Sequence, residues 1–299
     1  MPSHSRSNLH RTFQGEAVII DIPRIQYESL VRAALAEDIG PGDITTALCI
    51  PEGTRATATV LAKQPGIIAG LAIGELAFHL LDPDATWSAH VKDGDRVGEG
   101  RTPLATVSGD ARALLTAERV ALNFMQHLSG IATVTARYVA LVAGTNARIV
   151  DTRKTTPGLR ALEKYAVRAG GGFNHRLGLY DCVLIKDNHI KAAGGIGNAV
   201  RGAKAHISHT MKIEVEASTL AQVEEALQAG ADIILLDNMD TMTMHQAVVV
   251  IGGRAISEAS GGLTEPRVAE VAATGVDILS IGALTHSAPA LDISLDFAA

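Results

Sequence analysis

A repeated strand-and-helix unit in the second half of the chain constrains the fold most. Short β-rich runs alternate there with helical segments, and they occupy residues 147–150, 182–185, 213–216, 233–236, 255–257 and 278–281. Two of the units read AGADIILLDN (229–238) and TGVDILSIGA (274–283), which share a glycine at the helix end, an Asp-Ile pair and an apolar strand. Strands and helices that alternate at this spacing predict parallel βα units, most simply an α/β barrel of the TIM type.

The first half of the chain has a different pattern. Residues 56–107 show β-hairpin patterns with glycine at the turns, and residues 111–143 form a long helical stretch. That helix, or a break near Gly130, predicts the boundary between an N-terminal α/β domain and the barrel. In the barrel six strands are clear and a short seventh is expected near residues 172–175, fewer than the usual number of about eight.

Positive charge is concentrated in one segment of an otherwise acidic chain. Residues 148–191 contain nine Lys and Arg against four Asp and Glu, whereas the whole chain contains 26 against 32 and carries a net charge of −6. Such a local excess usually marks an anion site. Aromatic residues make up only 3% of the chain, so a nucleic-acid surface built from stacked rings is not expected.

The cysteines and the apolar runs bear on the cellular compartment. Cys49 and Cys182 are far apart, with no CxxC motif, which favours a reducing compartment over a disulfide framework or a structural zinc site. The first residues have no apolar core of signal-peptide length, and the most apolar run, residues 66–81, is interrupted by Glu75 and His79 and too short for a bilayer. We therefore predict a soluble cytoplasmic protein.

Polar or glycine residues follow each predicted strand of the second half. In strand order they are Asp151-Thr152-Arg153-Lys154, Lys186-Asp187-Asn188-His189, Glu216, Asp237-Asn238, Glu258-Ala259-Ser260-Gly261-Gly262 and Gly282-Ala283. The carboxyl ends of parallel strands meet at one end of a barrel, where barrel enzymes have their active sites. The pattern therefore predicts one site to which every strand contributes.

The candidate site residues divide by charge. The cationic set, which suits a dense anion, is Arg153, Lys154, Arg176 and Lys186 with His175 beside them. Glu216 and Asp237 suit a divalent cation, sugar hydroxyls or a positively charged transition state. Glycine-rich turns after the last two strands can bind phosphate through backbone N–H groups. Together these features predict a substrate with phosphate, diphosphate and carboxylate groups.

Several of these residues also have purely structural interpretations. Single glycines after strands are more often turn residues than phosphate sites, and His127 and His189 are more often structural than catalytic. Asp43 is expected to belong to a turn and helix cap. Surface positions are expected for Arg119 and for the charged side of one helix, which carries Arg160, Glu163, Lys164 and Arg168.

Seven motifs occur in a fixed order along the chain: DTRKTTPGLR, GGGFNHRLGLYD, IKDNH, EVE, LDN, EASGG and SIGALTHS. In this order they resemble the quinolinate phosphoribosyltransferase family, the carboxylating nicotinate-nucleotide pyrophosphorylases of NAD biosynthesis. The resemblance runs from AEDIGPGDITT near Glu37 to the ALDISLDF tail, so only the first twenty or so residues, which are polar and expected to be frayed, fall outside it. It implies that quinolinate and phosphoribosyl pyrophosphate react, with Mg²⁺, to give nicotinate mononucleotide, carbon dioxide and pyrophosphate.

The resemblance also implies an architecture and an assembly. The family has an N-terminal α/β sandwich domain, here residues 1–129, and an incomplete α/β barrel of about seven strands, here residues 130–285. Residues 286–299 are expected to pack back on the first domain. The family forms homodimers or hexamers with shared active sites, which implies that Arg119 enters the site of the neighbouring subunit and is not simply a surface charge.

Individual roles follow from the matching motif positions. Quinolinate is expected to contact Arg153, His175, Arg176 and Lys186, with Thr152 lining the same pocket. The expected catalytic residues are Lys154, Glu216 and Asp237, which face the ribose, Mg²⁺ and pyrophosphate; the two acidic residues hold the metal directly or indirectly. The 5′-phosphate is expected at Ser260, Gly261, Gly282 and Ala283, and Gly262 completes the substrate-binding set.

Three alternatives remain open from the sequence. A pyrophosphorylase-like protein associated with molybdenum transport shares the barrel motifs, but GGGFNHRLGLYD supplies a complete set of cations for two carboxylates. A Schiff-base aldolase or lyase could use Lys154 or Lys186 at a strand end, although Ser-Gly-Gly with two acidic residues suits a sugar diphosphate better. The third alternative is a barrel that binds metabolites without catalysis.

Overall fold

The computed structural model describes residues 21–298, and the prediction that residues 1–20 are frayed lies outside this range. The strands of the described part are β1 (Arg55–Ala62), β2 (Gly66–Ile67), β3 (Thr86–Ala89), β4 (Arg96–Val97), β5 (Thr102–Asp110), β6 (Arg148–Val150), β7 (Val183–Ile185), β8 (Ile213–Ala217), β9 (Ile233–Asp237), β10 (Ile256–Ser260), β11 (Ile278–Ser280) and β12 (Ile293–Phe297). The α-helices are α1 (Glu28–Ile39), α2 (Ile44–Cys49), α3 (Leu71–Leu81), α4 (Ala111–Leu141), α5 (Arg160–Ala169), α6 (Asp187–Ala193), α7 (Ile196–Lys204), α8 (Leu220–Ala229), α9 (Thr241–Ile251), α10 (Glu265–Ala272) and α11 (Ala283–His286).

The described residues form two compact units. The barrel unit comprises residues 138–153 and 173–281, and the sandwich unit comprises residues 21–137, 154–172 and 282–298. No helix break marks the predicted boundary near Gly130, because α4 runs without interruption from Ala111 to Leu141. The domain limits at residues 129 and 285 stay a prediction, since residues 154–172 group with the sandwich unit.

The barrel unit contains one parallel sheet of six strands in the order β6-β11-β10-β9-β8-β7. From β7 to β11 each new strand adds beside the previous one, and β11 then pairs with β6, which is the strand connectivity of a barrel. The predicted α/β fold is confirmed. In place of the expected seventh strand, the structure has a single parallel bridge between Val150 and Phe173.

The sandwich unit is built on an antiparallel sheet in the order β12-β1-β5-β3. Strand β12, from the end of the chain, pairs with β1 through residues such as Leu295 opposite Val60. Buried and accessible positions alternate along β1, with Ala58, Val60 and Ala62 inside, as expected for a sheet with one buried face.

Helix α4 forms much of the core of the sandwich unit. Its apolar residues recur at helical spacing, and Leu114, Leu122 and Met125 are almost completely buried. The neighbouring helix α3 approaches closely at Gly74, where an added Cβ would lie 2.5 Å from the sulfur of Met125. Within residues 21–298, no helix is both long and apolar enough to cross a membrane.

The prediction that the charged residues of α5 are exposed to solvent is wrong for two of them. The side chains of Glu163 and Lys164 are 0% and 1% exposed. Glu163 accepts hydrogen bonds from His127 Nε2 at 2.9 Å and from the backbone N–H of Thr156 at 3.1 Å. A buried carboxylate is tolerated when it is bonded in this way, and partners this distant in the chain are invisible to helical periodicity.

Candidate active site

Three predicted site residues lie together where neighbouring strands of the barrel unit end. Lys186 directly follows β7, Glu216 is near the end of β8, and Asp237 is the last residue of β9. Burial raises the pKa of Glu216, the charge of Asp237 raises it further, and Lys186 lowers it. Two carboxylates that repel each other beside a lysine form a suitable place for a bound cation.

The turn after β9 fixes Asp237. Asn238 has a φ of +52°, which is uncommon for a residue other than glycine. Its side-chain amide donates a hydrogen bond to Asp237 Oδ2 at 3.1 Å, and its backbone N–H donates to Ser260 O at 2.9 Å. Gly261 packs directly on this amide, since an added Cβ would lie 2.5 Å from Asn238 Cγ. The motif after β10 therefore supports the acidic residue at the end of β9.

His175 lies against two buried glutamates of the sheet. Its Nε2 atom is 3.2 Å from Glu214 Oε2 and 3.4 Å from Glu258 Oε1, and the glutamates are only 1% and 2% exposed. Burial alone would lower the pKa of His175, but the hydrogen bonds and charges of both glutamates outweigh it and raise the pKa to about 10. The backbone N–H of Arg176 donates a hydrogen bond to Nδ1 of the same ring at 2.7 Å, so Nε2 is the ring nitrogen that donates to the glutamates.

The loop that carries His175 is held by a buried aspartate at the end of β6. Asp151 is 0% exposed and accepts hydrogen bonds from the backbone N–H of His175 at 2.9 Å and from Asn174 Nδ2 at 2.6 Å. Thr152 and Arg153 follow it and are half-buried. Asp151 thus connects two of the predicted site segments, although the sequence indicated no separate role for it.

Arg176 has a different position from Lys186. Its Nη1 atom donates a hydrogen bond to Cys182 O at 3.1 Å, and among the described residues its buried Nε has no hydrogen-bond partner. Cys182 precedes β7 and Lys186 follows it, so their Cα atoms are separated by about 13 Å of extended chain. Arg176 therefore groups with His175, and Lys186 groups with Glu216.

These two groups are neighbours on β8. Glu214 and Glu216 are two residues apart and point to the same face of the strand. A cavity of about 390 Å³ adjoins the first group, and its lining includes Asn174, His175, Arg176, Cys182 and Lys212. Burial raises the pKa of the Cys182 thiol to about 11, so this thiol is neutral at physiological pH and unsuited to act as a nucleophile.

Four predicted site residues lie in the sandwich unit. Lys154 packs along Gly282, where an added Cβ would lie 3.0 Å from the lysine Cδ, and its backbone carbonyl accepts a hydrogen bond from Thr285 Oγ1 at 2.8 Å. Ala283 begins α11 next to them. Arg119 is on α4 with 60% of its side chain exposed, 4.0 Å from Glu118.

Sequence reasoning gave no role to Glu214, and it placed Asn238 and Glu258 at strand ends without assigning a role to either. Glu214 had a visible signal, because EVE places two charged residues on one face of an otherwise apolar strand. The structural interpretation of two other residues is supported by their contacts. His127 pairs with Glu163 at 2.9 Å, and His189 Nδ1 accepts a hydrogen bond from the backbone N–H of Lys186 at 3.0 Å.

The fold and the site together define the class of protein. It is an α/β protein whose strands are connected as in a barrel, and acidic and basic side chains lie at the ends of its parallel strands. The family descriptions "Quinolinate phosphoribosyl transferase, N-terminal domain" and "C-terminal domain" match residues 43–129 and 131–296. The chain belongs to the quinolinate phosphoribosyltransferase family.

Similar proteins cover almost the whole chain. A Bacillus subtilis protein named probable nicotinate-nucleotide pyrophosphorylase [carboxylating] is 46% identical over 91% of this chain and 93% of its own length. A Mycobacterium leprae protein named nicotinate-nucleotide pyrophosphorylase [carboxylating] is 47% identical over 89% and 95%. The solved structure of the nicotinate-nucleotide pyrophosphorylase from Francisella tularensis has a TM-score of 0.90 at 40% identity and covers 94% of this chain and 99% of that one.

Proposed function

We propose that this chain transfers the phosphoribosyl group of phosphoribosyl pyrophosphate to quinolinate with decarboxylation, giving nicotinate mononucleotide, carbon dioxide and pyrophosphate in NAD biosynthesis. The observation that carries the proposal is the group of Lys186, Glu216 and Asp237 at neighbouring strand ends, in a chain that belongs to this family. The chain is accordingly a pentosyltransferase.

The charges of this group suit the reaction. The pyridine nitrogen attacks the anomeric carbon as pyrophosphate leaves, and the ribose passes through an oxocarbenium-like state. The carboxylates of Glu216 and Asp237 can stabilise its positive charge. The N-ribosylated ring is cationic, so it accepts the electron pair that remains when the 2-carboxylate departs as carbon dioxide. The protein contributes positioning and charge, and it excludes water from the sugar diphosphate.

Mg²⁺ is part of the proposal. Glu216 and Asp237 are close enough for the charge of one to raise the pKa of the other, and Mg²⁺ prefers carboxylate oxygens together with substrate phosphates. These two residues would hold the ion, which neutralises charge on the pyrophosphate when bound.

The substrate contacts are proposed as follows. The quinolinate carboxylates bind to cations of the barrel unit, namely Arg153, His175, Arg176 and Lys186, with Thr152 beside them. The 5′-phosphate binds to backbone N–H groups at Ser260, Gly261, Gly262, Gly282 and Ala283. Lys154 acts at the phosphates, and its packing on Gly282 supports this role.

Carbon dioxide release tests the function. Quinolinate labelled in the 2-carboxylate is incubated with Mg²⁺, with and without phosphoribosyl pyrophosphate, and nicotinate replaces quinolinate in the control. We expect release that requires the sugar diphosphate, together with pyrophosphate formed from quinolinate and not from nicotinate. Binding of both substrates without turnover would favour a non-catalytic protein, and trapping of a carbonyl substrate on Lys154 or Lys186 by borohydride would favour a Schiff-base enzyme.

The assembly is proposed to be a homodimer or a hexamer in which Arg119 serves the site of the neighbouring subunit. The exposure of its side chain leaves it available for such a contact. Mixing the inactive variants Arg119→Ala and Lys154→Ala tests this, because a mixed dimer regains one intact site only if the two residues act in different subunits. Activity that does not recover after subunit exchange would contradict it. The cytoplasmic location stays a prediction from the sequence.

A further inference from the structure

The segment that carries Lys154 has no regular secondary structure. Residues 151–159 lie between β6 and α5 in the chain and belong to neither a strand nor a helix. Backbone groups in such a segment have no regular hydrogen-bond ladder, so other groups must supply their partners. The lysine side chain adds a flexible stem below its ammonium group. The position of the Lys154 ammonium group therefore depends on the contacts that fix residues 154–156.

Glu163 binds this segment from the first turn of α5. Its side chain is completely buried, and its Oε2 atom accepts a hydrogen bond from the backbone N–H of Thr156 at 3.1 Å. Its Oε1 atom accepts from His127 Nε2 at 2.9 Å. Burial by itself raises the pKa of Glu163, but the hydrogen bonds from His127 and Thr156 outweigh it and lower the pKa. The side chain is therefore an ionised carboxylate whose two oxygens both act as acceptors.

Thr285 holds the other end of the same segment. It is a buried residue of α11, and its hydroxyl donates a hydrogen bond to Lys154 O at 2.8 Å. Gly282 lies against the stem of the lysine, as the short distance from an added Cβ to Lys154 Cδ shows. Helices α5 and α11 contact each other, and all of these residues belong to the sandwich unit. The two ends of the segment are thus bound by one pair of helices.

Neither hydrogen bond is needed by the helix that supplies it. Burying a carboxylate is unfavourable, and an apolar residue at position 163 would build α5 equally well. The hydroxyl of Thr285 also lies 3.2 Å from the carbonyl of Gly282 in its own turn, but the carbonyl of Lys154 is closer. What both side chains add is a fixed position for the backbone on either side of the lysine.

We propose that Glu163 and Thr285 are positioning residues for Lys154. Thr285 fixes the carbonyl of the lysine, and Glu163 fixes the backbone N–H of Thr156. The lysine stem then leaves the segment in one direction. Displacing a catalytic group by about 1 Å can lower the rate about a hundredfold. The inference rests on the proposed function for the role of Lys154 at the phosphates, whereas the positioning can be measured without substrate.

The first test measures the positioning by hydrogen–deuterium exchange in the ¹⁵N-labelled protein. The Thr156 amide is bonded to a buried carboxylate, so its exchange should be slow. Glu163→Ala removes the acceptor, and we expect exchange at Thr156 to become at least about tenfold faster. The exposed Glu224→Ala on α8 is the control, in which the rate should not change. An unchanged rate in Glu163→Ala overturns the proposal.

The second test is a double-mutant cycle on turnover. Glu163→Ala should lower kcat about tenfold to a hundredfold. The KM for quinolinate should stay within about twofold of wild type, because Lys154 acts at the phosphates. In the Lys154→Ala background the same substitution should change the residual rate by less than about twofold, since the group that it positions is absent. Equal losses in the two backgrounds would show a general structural role and overturn the proposal.

The third test uses Thr285→Val, which keeps the shape of the side chain and stays informative if Glu163→Ala does not fold. We expect kcat to fall about tenfold, and Thr285→Ser to restore it to within about threefold of wild type. Thr135→Val is the matched control, because Thr135 on α4 is also buried and its hydroxyl donates to Ile131 O at 2.8 Å. Equal kcat values in Thr285→Val and Thr135→Val overturn the proposal.

Failure of the inference and failure of the proposed function give different results. A wild type that releases no carbon dioxide from quinolinate contradicts the proposed function. The exchange rate of the Thr156 amide still tests the positioning in that case, because it requires no turnover.

Discussion

The contact between Gly261 and Asn238 gives a prediction whose magnitude can be worked from the structure. Gly261 has a φ of +91°, and an added Cβ would lie 2.5 Å from Asn238 Cγ and 2.9 Å from its Nδ2. The left-handed backbone costs alanine about 1–2 kcal/mol. Displacing the amide adds a packing cost of about 1–3 kcal/mol. Gly261→Ala should therefore destabilise the protein by about 2–5 kcal/mol, the sum of these two terms.

Gly253 provides the matched control. It has a φ of +72° and no atom within 4 Å of an added Cβ, so Gly253→Ala carries the backbone cost alone. The melting temperatures of the two variants should differ because only Gly261→Ala carries the packing cost. Each kcal/mol of that cost corresponds to a difference of about 2–4 °C. The Asn238→Gly background removes the amide, and there Gly261→Ala should cost no more than Gly253→Ala.

The same substitution has a predicted effect on catalysis. The amide of Asn238 donates to Asp237 Oδ2, so moving it should raise the KM for phosphoribosyl pyrophosphate more than the KM for quinolinate. Steady-state kinetics with each substrate varied in turn measures this. Equal thermal midpoints for the two glycine variants, or an undiminished cost of Gly261→Ala in the Asn238→Gly background, would refute the reasoning.

Three further predictions concern other parts of the chain. Asp43 caps α2 by accepting from the Thr46 backbone N–H at 3.0 Å, as its sequence context predicts, and Asp43→Ala should cost about 1 kcal/mol. The Thr46 hydrogen bonds lower the pKa of Asp43, so this stabilisation is present at neutral pH and lost as the pH falls through the folded-state pKa; thermal midpoints of wild type and variant should converge in acid. Lys154→Ala should lose turnover by several orders of magnitude, whereas Arg176→Ala should mainly raise the KM for quinolinate, and unchanged kinetics in both would remove the site assignment. Chelation of Mg²⁺ should abolish turnover, and Glu216→Gln should raise the Mg²⁺ concentration needed for half-maximal rate by about tenfold; a rate that is insensitive to chelator would exclude the metal.

Local patterns predicted much of the secondary structure. The apolar runs at 233–236 and 278–281 are strands of the sheet, and the predicted long helix is α4, because periodicity and glycine punctuation act over a few residues. The sequence predicts a short strand near Phe173, but the structure has only a single bridge there. One bridge involves too few residues to leave a recognisable sequence pattern. The error at Glu163 and Lys164 has a related cause: a charged residue is exposed by default, and only a distant partner makes its burial favourable.

By itself the sequence determined the order of strands and helices, the parallel connectivity that follows from it, and the polar or glycine residues that end each strand. Only the tertiary structure decided which of these charges meet. It placed His175 against Glu214, 39 positions away, and against Glu258 on another strand. It also bonded Arg176 to the carbonyl of Cys182, which precedes β7, whereas Lys186 follows that strand. The physical reason is that backbone preferences are local, whereas the pairing of buried charges depends on how strands are arranged across the sheet.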